Sequence, residues 1–198
     1  MLAAMAGRIA IIQGHPDPAG GHLCHALAAA YAGAAAGAGH EVRRIDVARL
    51  DFPLLRTQAD FEAGAVPPAL AAAQADIRWA EHLLIVYPLW LGTMPALLKA
   101  FFEQVFRPGF GLRAESARWP RKLLTGRSAR IVITMGMPAF VYRWYFRAHG
   151  LKSLERSILR FCGIGPIRER LYGMVGAASE VRRARWLSEM SALGRRSA

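Results

Sequence analysis

The chain has 198 residues, 54% hydrophobic and 20% charged; this excludes a disordered polymer and suits one domain with a sizeable core. Its only cysteines, Cys24 and Cys162, form no C-x-x-C pair; a disulfide framework and a four-cysteine zinc site are excluded, no metal site is expected, and the composition fits a reducing compartment. The formal charge of +12 is lopsided, with seven basic against eight acidic side chains in residues 1–100 and nineteen against six in residues 101–198.

Residues 1–12 hold a short apolar stretch broken by Arg8, with no charged leader before it, and Met5 is an alternative start; no secretory signal is expected. Residues 8–14 (RIAIIQG) read as a buried first strand ending in glycine. Residues 15–21 (HPDPAGG) are turn-rich. Residues 23–38 are alanine-rich, with Leu23, Leu27 and Tyr31 at helical spacing and Gly39 as the stop. Residues 41–46 read as a second strand, and strand–helix–strand implies a parallel pair with a right-handed crossover. Residues 47–67 show no long period and read as a surface excursion. Residues 68–81 are a helix candidate. Residues 83–88 (LLIVYP) form a third strand, apolar throughout and so buried on both faces. A loop over 89–95 leads into a helix over 96–106, with Pro95 at its first position. Residues 108–127 read as irregular, and 129–134 (ARIVIT) as a fourth strand. After a loop at 135–138, residues 140–161 are aromatic, basic and mostly helical. Residues 167–174 make a fifth strand, and 179–193 an amphipathic last helix.

The longest apolar stretch, 83–102, contains Pro88, Pro95 and Lys99, so it reads as strand, loop and helix rather than a membrane span. The whole pattern, 1–198, is a single doubly wound α/β domain, and a soluble cytoplasmic protein is expected.

Ligands of such sheets bind beyond the carboxyl ends of the strands, where strand order reverses. Three loops qualify. The first, 15–24, enters a helix whose unpaired N–H groups suit a phosphate; Gly20 and Gly21 allow a close turn, and His15 and His22 add hydrogen bonds. It carries neither G-x-G-x-x-G nor G-x-x-x-x-G-K-[ST], so a turn without a ligand remains open. The second runs through Pro88-Leu89-Trp90-Leu91. It offers a flat wall and backbone groups for a large ring, or a patch that packs on another subunit. The third, Thr134-Met135-Gly136-Met137-Pro138, brings backbone N–H groups toward the same place. Tyr142 and His149 follow: near a redox ring they would stabilise an anion or relay a proton, and otherwise they are a buried tyrosine and a surface histidine.

These segments resemble one family. HPDP at 15–18, the stretch from Tyr87-Pro-Leu-Trp through Pro95-Ala-Leu-Leu-Lys-Ala-Phe-Phe-Glu-Gln-Val-Phe106 to Pro108-Gly-Phe110, and Thr134-Met-Gly136 look like the flavodoxin-like NAD(P)H:quinone oxidoreductases. That family includes modulator-of-drug-activity proteins and ancillary subunits of potassium-efflux systems. Tyr142, His149-Gly150 and Phe161-Cys-Gly163 match the animal quinone reductases more loosely, with one inserted residue. The resemblance covers most of residues 8–175. It implies a five-stranded flavodoxin-like sheet of order 2-1-3-4-5. It also implies a flavin (FMN or FAD) reduced by NAD(P)H and reoxidised by a quinone-type acceptor in two-electron, ping-pong steps. By this analogy His15, His22, Leu23 and Cys24 hold the flavin phosphate and ribityl chain, and Pro88, Leu89, Trp90 and Leu91 line its ring. Thr134, Met135, Gly136 and Met137 contact the pyrimidine edge, while Tyr142 and His149 face the reacting ring. The chain departs from the family in its longer first loop, Gly21-His-Leu-Cys24, and in Met135 and Met137 where smaller residues are common.

The resemblance also implies a homodimer, which the many aromatics of 101–110 and 144–146 would suit. The alternative function is a regulatory subunit docked on a membrane potassium-efflux transporter, peripheral at the inner membrane face. Nucleic-acid binding ranks low: the cations follow no recognised reading motif, so any such binding would be nonspecific.

Overall fold

The computed structural model describes residues 6–113 and 120–197. In chain order the elements are β1 (Arg8–Gln13), α1 (Leu23–Gly37), β2 (Glu41–Asp46), α2 (Gln58–Ala63), α3 (Pro68–Trp79), β3 (His82–Pro88), α4 (Ala96–Val105), β4 (Leu112–Arg113), β5 (Arg121–Lys122) and β6 (Ser128–Thr134). Then come α5 (Ala139–Trp144), α6 (His149–Lys152), β7 (Ile167–Tyr172) and α7 (Glu180–Arg195). The main sheet has the order β2-β1-β3-β6-β7, and all its pairings are parallel. With β4 and β5 set aside this is the order 2-1-3-4-5, the flavodoxin-like arrangement the family resemblance implies.

The unbroken apolar runs of β1 and β3 are explained by helices on both faces. Ile9 and Ile11 of β1 point to one layer, where Leu84, Val86 and Val132 meet α1 and α7 through Leu27, Tyr31, Trp186 and Met190. Ala10 and Ile12 point to the other, where Leu83, Ile85, Ile131 and Ile133 meet α3 and α4 through Leu70, Ile77, Leu98 and Phe101. Each fully buried Ile or Leu contributes roughly 1.5–3 kcal/mol. The two helices of the first layer sit so close that a Cβ on Gly194 of α7 would lie 2.3 Å from the Tyr31 carbonyl of α1. The outer strand β7 exposes Arg168 and Arg170 on alternate positions, charges that discourage further strand pairing.

Three regions depart from the sequence reading. Residues 108–127 are not wholly irregular: β4 and β5 form an antiparallel ribbon with Leu112 opposite Lys122. Two-residue strands carry no readable period; tertiary bonds such as Leu124 N–H to the Cys162 carbonyl, 3.0 Å, hold them. The 47–67 excursion contains a 3₁₀ turn, Val47–Arg49, and the short α2. Thr57 caps α2 by accepting the Asp60 N–H at 3.1 Å, and the buried Arg107 pins the excursion by donating to the Gly64 carbonyl at 2.7 Å. The 140–161 helix is in three pieces: α5, α6 and a π-helical stretch, Ser153–Arg160. The break falls at Arg147 and Ala148, both left-handed with φ of 52° and 50°.

Candidate functional site

Strand order reverses between β1 and β3, because the chain moves outward from β1 to β2 and returns to the far side of β1. Gly14 extends the β1–β3 pairing by donating to the Val86 carbonyl at 2.8 Å, and the first loop leaves just beyond it. Asp17 and His15 shape that loop: Asp17 N–H donates to His15 Nδ1 at 3.2 Å and Ala19 N–H to Asp17 Oδ1 at 2.9 Å. Gly20 and Gly21 take φ of 80° and 78°, a left-handed pair that glycine adopts without strain. Helix α1 then starts at His22 with no side-chain cap and no acidic residue in its first turn. The N–H groups of its first residues and the positive end of its dipole are therefore left for an anion.

Three histidines gather at this helix start. The His15 and His22 rings stack at 3.9 Å and 16°, with His25 5.1 Å from His15. His22 Nε2 lies 2.7 Å from Asp17 Oδ2, which holds the Asp17 carboxyl below the usual carboxylate range. Burial first, then the charges of His22 and His25, push His15 down to about 4. Burial likewise lowers His25. At neutral pH these two rings are uncharged and present a nitrogen donor and a nitrogen acceptor each.

The wall of the crevice is the turn 90–93. Trp90 and Thr93 bond each other both ways, Trp90 N–H to Thr93 carbonyl at 2.9 Å and Thr93 N–H to Trp90 carbonyl at 3.0 Å. Between them Leu91 and Gly92 have φ of 47° and 82°. That is a primed two-residue turn, in which a leucine is strained while it stands fully exposed beside a half-exposed Trp90. The turn is braced from behind. A Cβ on Gly150 would lie 2.3 Å from the Gly92 carbonyl and 2.6 Å from Thr93 Cα, so only glycine fits there. The buried Tyr142 hydroxyl accepts the Leu151 N–H at 3.0 Å and lies 3.5 Å from the Gly92 carbonyl, to which it donates.

The third loop joins the other two. Leu89 N–H donates to the Thr134 carbonyl at 2.8 Å, and Thr134 Oγ1 lies 3.1 Å from Cys24 Sγ. Burial raises the Cys24 thiol to about 12, so it is a neutral packing group whose backbone alone faces the helix start. Met135 is buried, with its N–H on the Tyr172 carbonyl at 2.9 Å and its own carbonyl accepting the Val175 N–H at 3.1 Å. Gly136 is the exposed member of this loop and Met137 is half-buried. His149 is exposed, one residue before the glycine that braces the turn.

The structure thus brings the loops of His15, His22, Leu23, Cys24, Pro88, Leu89, Trp90, Leu91 and Thr134–Met137 to one rim. Sequence reasoning missed His25 and Asp46, and it quoted Asp17 and Gly150 only within motifs, without a role. His25 follows His22 by three residues on one helix, which was readable; the Gly150 contact with the turn spans over fifty residues and was not. Four buried polar atoms without a partner among the described residues belong to this rim: Gln13 Nε2, His25 Nδ1, Asp46 Oδ1 and Tyr87 Oη. Buried polar atoms are normally paired; Tyr31 Oη, His82 Nε2 and Arg107 Nε are unpaired elsewhere among the described residues, and the four at one rim stand where a polar ligand could meet them. Among the described residues no group of three or more His, Cys, Asp or Glu is placed to hold a metal ion.

A parallel sheet of this order, with three loops meeting at its reversal point, defines the class: the chain belongs to the flavodoxin-like fold family, whose model matches residues 7–193. Among its relatives, rat (Rattus norvegicus) NAD(P)H dehydrogenase [quinone] 1 is 25% identical over 136 residues, 66% of this chain and 48% of the rat protein. The chain spans between a third and about half of the length of the curated relatives it matches. Two solved structures share the fold. The NAD(P)H:quinone oxidoreductase of Methanothermobacter marburgensis superposes with a TM-score of 0.78 at 22% identity, covering 96% of each chain. An FMN-dependent NADH-azoreductase of Bacillus anthracis in complex with FMN does so with a TM-score of 0.73 at 13% identity, covering 96% of this chain and 98% of the other.

Proposed function

We propose that this protein is a flavin-dependent NAD(P)H oxidoreductase that passes two electrons to a quinone-type acceptor. The observation that carries the reading is the convergence, on one rim, of an uncapped helix N-terminus, a ring-bearing strained turn and four unpaired buried polar atoms. The donor set fits a flavin. An anionic tail would take the N–H groups of His22, Leu23 and Cys24, with His15 and His22 beside them. The flat ring would lie along Leu89, Trp90 and Leu91, its polar edge toward Gly136, whose lack of a side chain leaves room, and toward Thr134, Met135 and Met137.

A flavin held by these residues would supply hydride exchange between NAD(P)H and the acceptor, in the ping-pong order of the family. The protein's part is position and protons. Tyr142 and Gly150 keep the turn at a fixed height over the crevice, which orients whatever lies on it. Burial raises the Tyr142 phenol, so its proton stays on the oxygen and its hydrogen bonds persist. His149, exposed next to that brace, supplies a proton to the reduced acceptor. Trp90 and Leu91 exclude water from one side.

The functional unit we propose is a homodimer in the cytoplasm. A groove of about 480 Å³ between α4 and the π-helical stretch, lined by Phe102, Phe106, Leu112, Ile158 and Phe161, is the apolar surface a second copy would cover. Sedimentation should give twice the chain mass, and a monomer at micromolar concentration removes the dimer. The reading itself is tested by absorbance: the purified protein, or protein mixed with FMN or FAD, should acquire a bound-flavin spectrum and oxidise NAD(P)H when menadione is added. No spectral change with either flavin overturns it.

A further inference from the structure

A second surface lies beside the rim, around the exposed side of α5 and the outer strand β7. Phe140, Trp144 and Tyr145 are 67%, 77% and 79% exposed, and Phe146 follows them. Trp144 stands between two depressions. One, of about 610 Å³, is lined by Arg143, Arg147, Lys152 and Arg156. The other, of about 440 Å³, is lined by Phe140, Arg170 and Arg185. The acidic residues here are already neutralised: Glu169 pairs with Arg143 at 2.6 Å, Glu155 with Arg160 at 2.8 Å and Glu189 with Arg170 at 2.7 Å. Arg147, Lys152, Arg156 and Arg185 have no carboxylate partner among the described residues. The face therefore carries at least four uncompensated cations around large exposed rings.

Exposed contiguous rings on a folded protein mark a contact surface. A second copy of this chain is the less favourable occupant, although 144–146 are among the aromatics that would suit a dimer, because a twofold contact would bring two patches of the same net positive charge together. Trp and Tyr rings flanked by Lys and Arg are the pattern of a membrane–water interface: the rings enter the headgroup layer and the cations meet anionic lipid. We propose that this aromatic and basic face docks the protein on the surface of an anionic phospholipid bilayer. Among the described residues no helix is long and apolar enough to cross a membrane, so the contact is a lateral and reversible one. It would set the protein beside a bilayer, where apolar acceptors dissolve.

The test is flotation of the purified full chain with phosphatidylcholine vesicles, with and without phosphatidylglycerol. Binding is expected only where phosphatidylglycerol is present, and it should weaken as salt is raised. Each basic contact is worth about fivefold in partition, so Lys152→Gln with Arg156→Gln should lower it about 25-fold. Trp144→Ala with Tyr145→Ala should lower it as well, at low salt, and these exposed changes should leave the unfolding midpoint in place. Equal binding to both vesicle types, binding to neither, or full binding by the ring variant overturns the proposal. So does a single-stranded oligonucleotide that binds the wild type and loses affinity in the ring variant while vesicles bind neither, which would assign the face to nucleic acid. Flotation does not depend on the redox reading, which stands or falls on the absorbance spectrum.

Discussion

Five of the six histidines lie at the two ends of one sheet, and the ends use them differently. At the carboxyl end His15 and His22 stack beside a loop with His25 tilted against both, and His25 keeps an unpaired nitrogen. At the amino end each ring ties chain segments. His40 Nδ1 accepts the Gly7 N–H at 2.9 Å and its Nε2 donates to the Arg195 carbonyl at 3.2 Å, joining both termini. His82 Nδ1 sits 2.7 Å from Ser128 Oγ across the β3–β6 pair. The same side chain joins a cluster where the loops open and is a clamp where the strands begin. Residue type does not distinguish the two; what each ring touches does, since His82 Nε2 at the amino end also lacks a partner among the described residues.

The largest test of this contrast is at the crevice. Gly150→Ala places a methyl group on the 92–93 backbone, so it should cost about 3 kcal/mol, the upper end for overpacking. It should also weaken flavin binding more than tenfold, read by thermal unfolding and by fluorescence titration. A variant that unfolds and binds like the wild type would show that the brace is not needed.

At the amino end, burial and then the charges of Arg130 and Arg168 push His82 down to about 4. The unfolded chain takes up this proton below about 6.5, the folded chain only below about 4. His82 therefore contributes stability that is complete above pH 6.5 and lost as the pH falls toward 4. The loss is about 3 kcal/mol at roughly 1.4 kcal/mol per unit. His82→Asn should flatten that part of the pH–stability curve, and flavin should leave it unaltered. His15 has the same direction and a similar value, but an anion seated beside it would pull it upward, so flavin should shrink the His15 share. Identical curves with and without flavin would break the distinction.

His40→Ala should cost about 2 kcal/mol, because it leaves the Gly7 N–H and the Arg195 carbonyl without partners; urea unfolding reads it, and flavin affinity should stay constant. Leu91→Gly should stabilise by about 1 kcal/mol, since it relieves a left-handed leucine, while it strips the wall and lowers the rate with quinone. His22→Gln should leave the unfolding midpoint nearly unchanged, because its pair with Asp17 is surface-exposed. Several-fold weaker FMN binding is its expected mark.

Much of this was legible in the chain itself. Continuous apolar runs such as LLIVYP have only one home in a soluble α/β protein, a strand covered on both faces. The alternation of such runs with helical periods leaves few topologies, and the loops after strands one, three and four are where ligands must go. The two-residue strands at 112–113 and 121–122 had no period to show. The break at Arg147 and Ala148 lies inside a helical pattern and is closed by a bond from the Ala148 N–H to the Tyr142 carbonyl, 3.0 Å.

What the order of amino acids determined by itself was the architecture, because strand and helix periods and their alternation are local properties that burial then enforces. What only the tertiary structure decided was which polar atoms are left without partners, which turn is braced and which histidine is a clamp. Those depend on contacts between residues far apart in sequence, such as Gly150 against Gly92 and His40 against Arg195, and no local pattern encodes a distance of that kind.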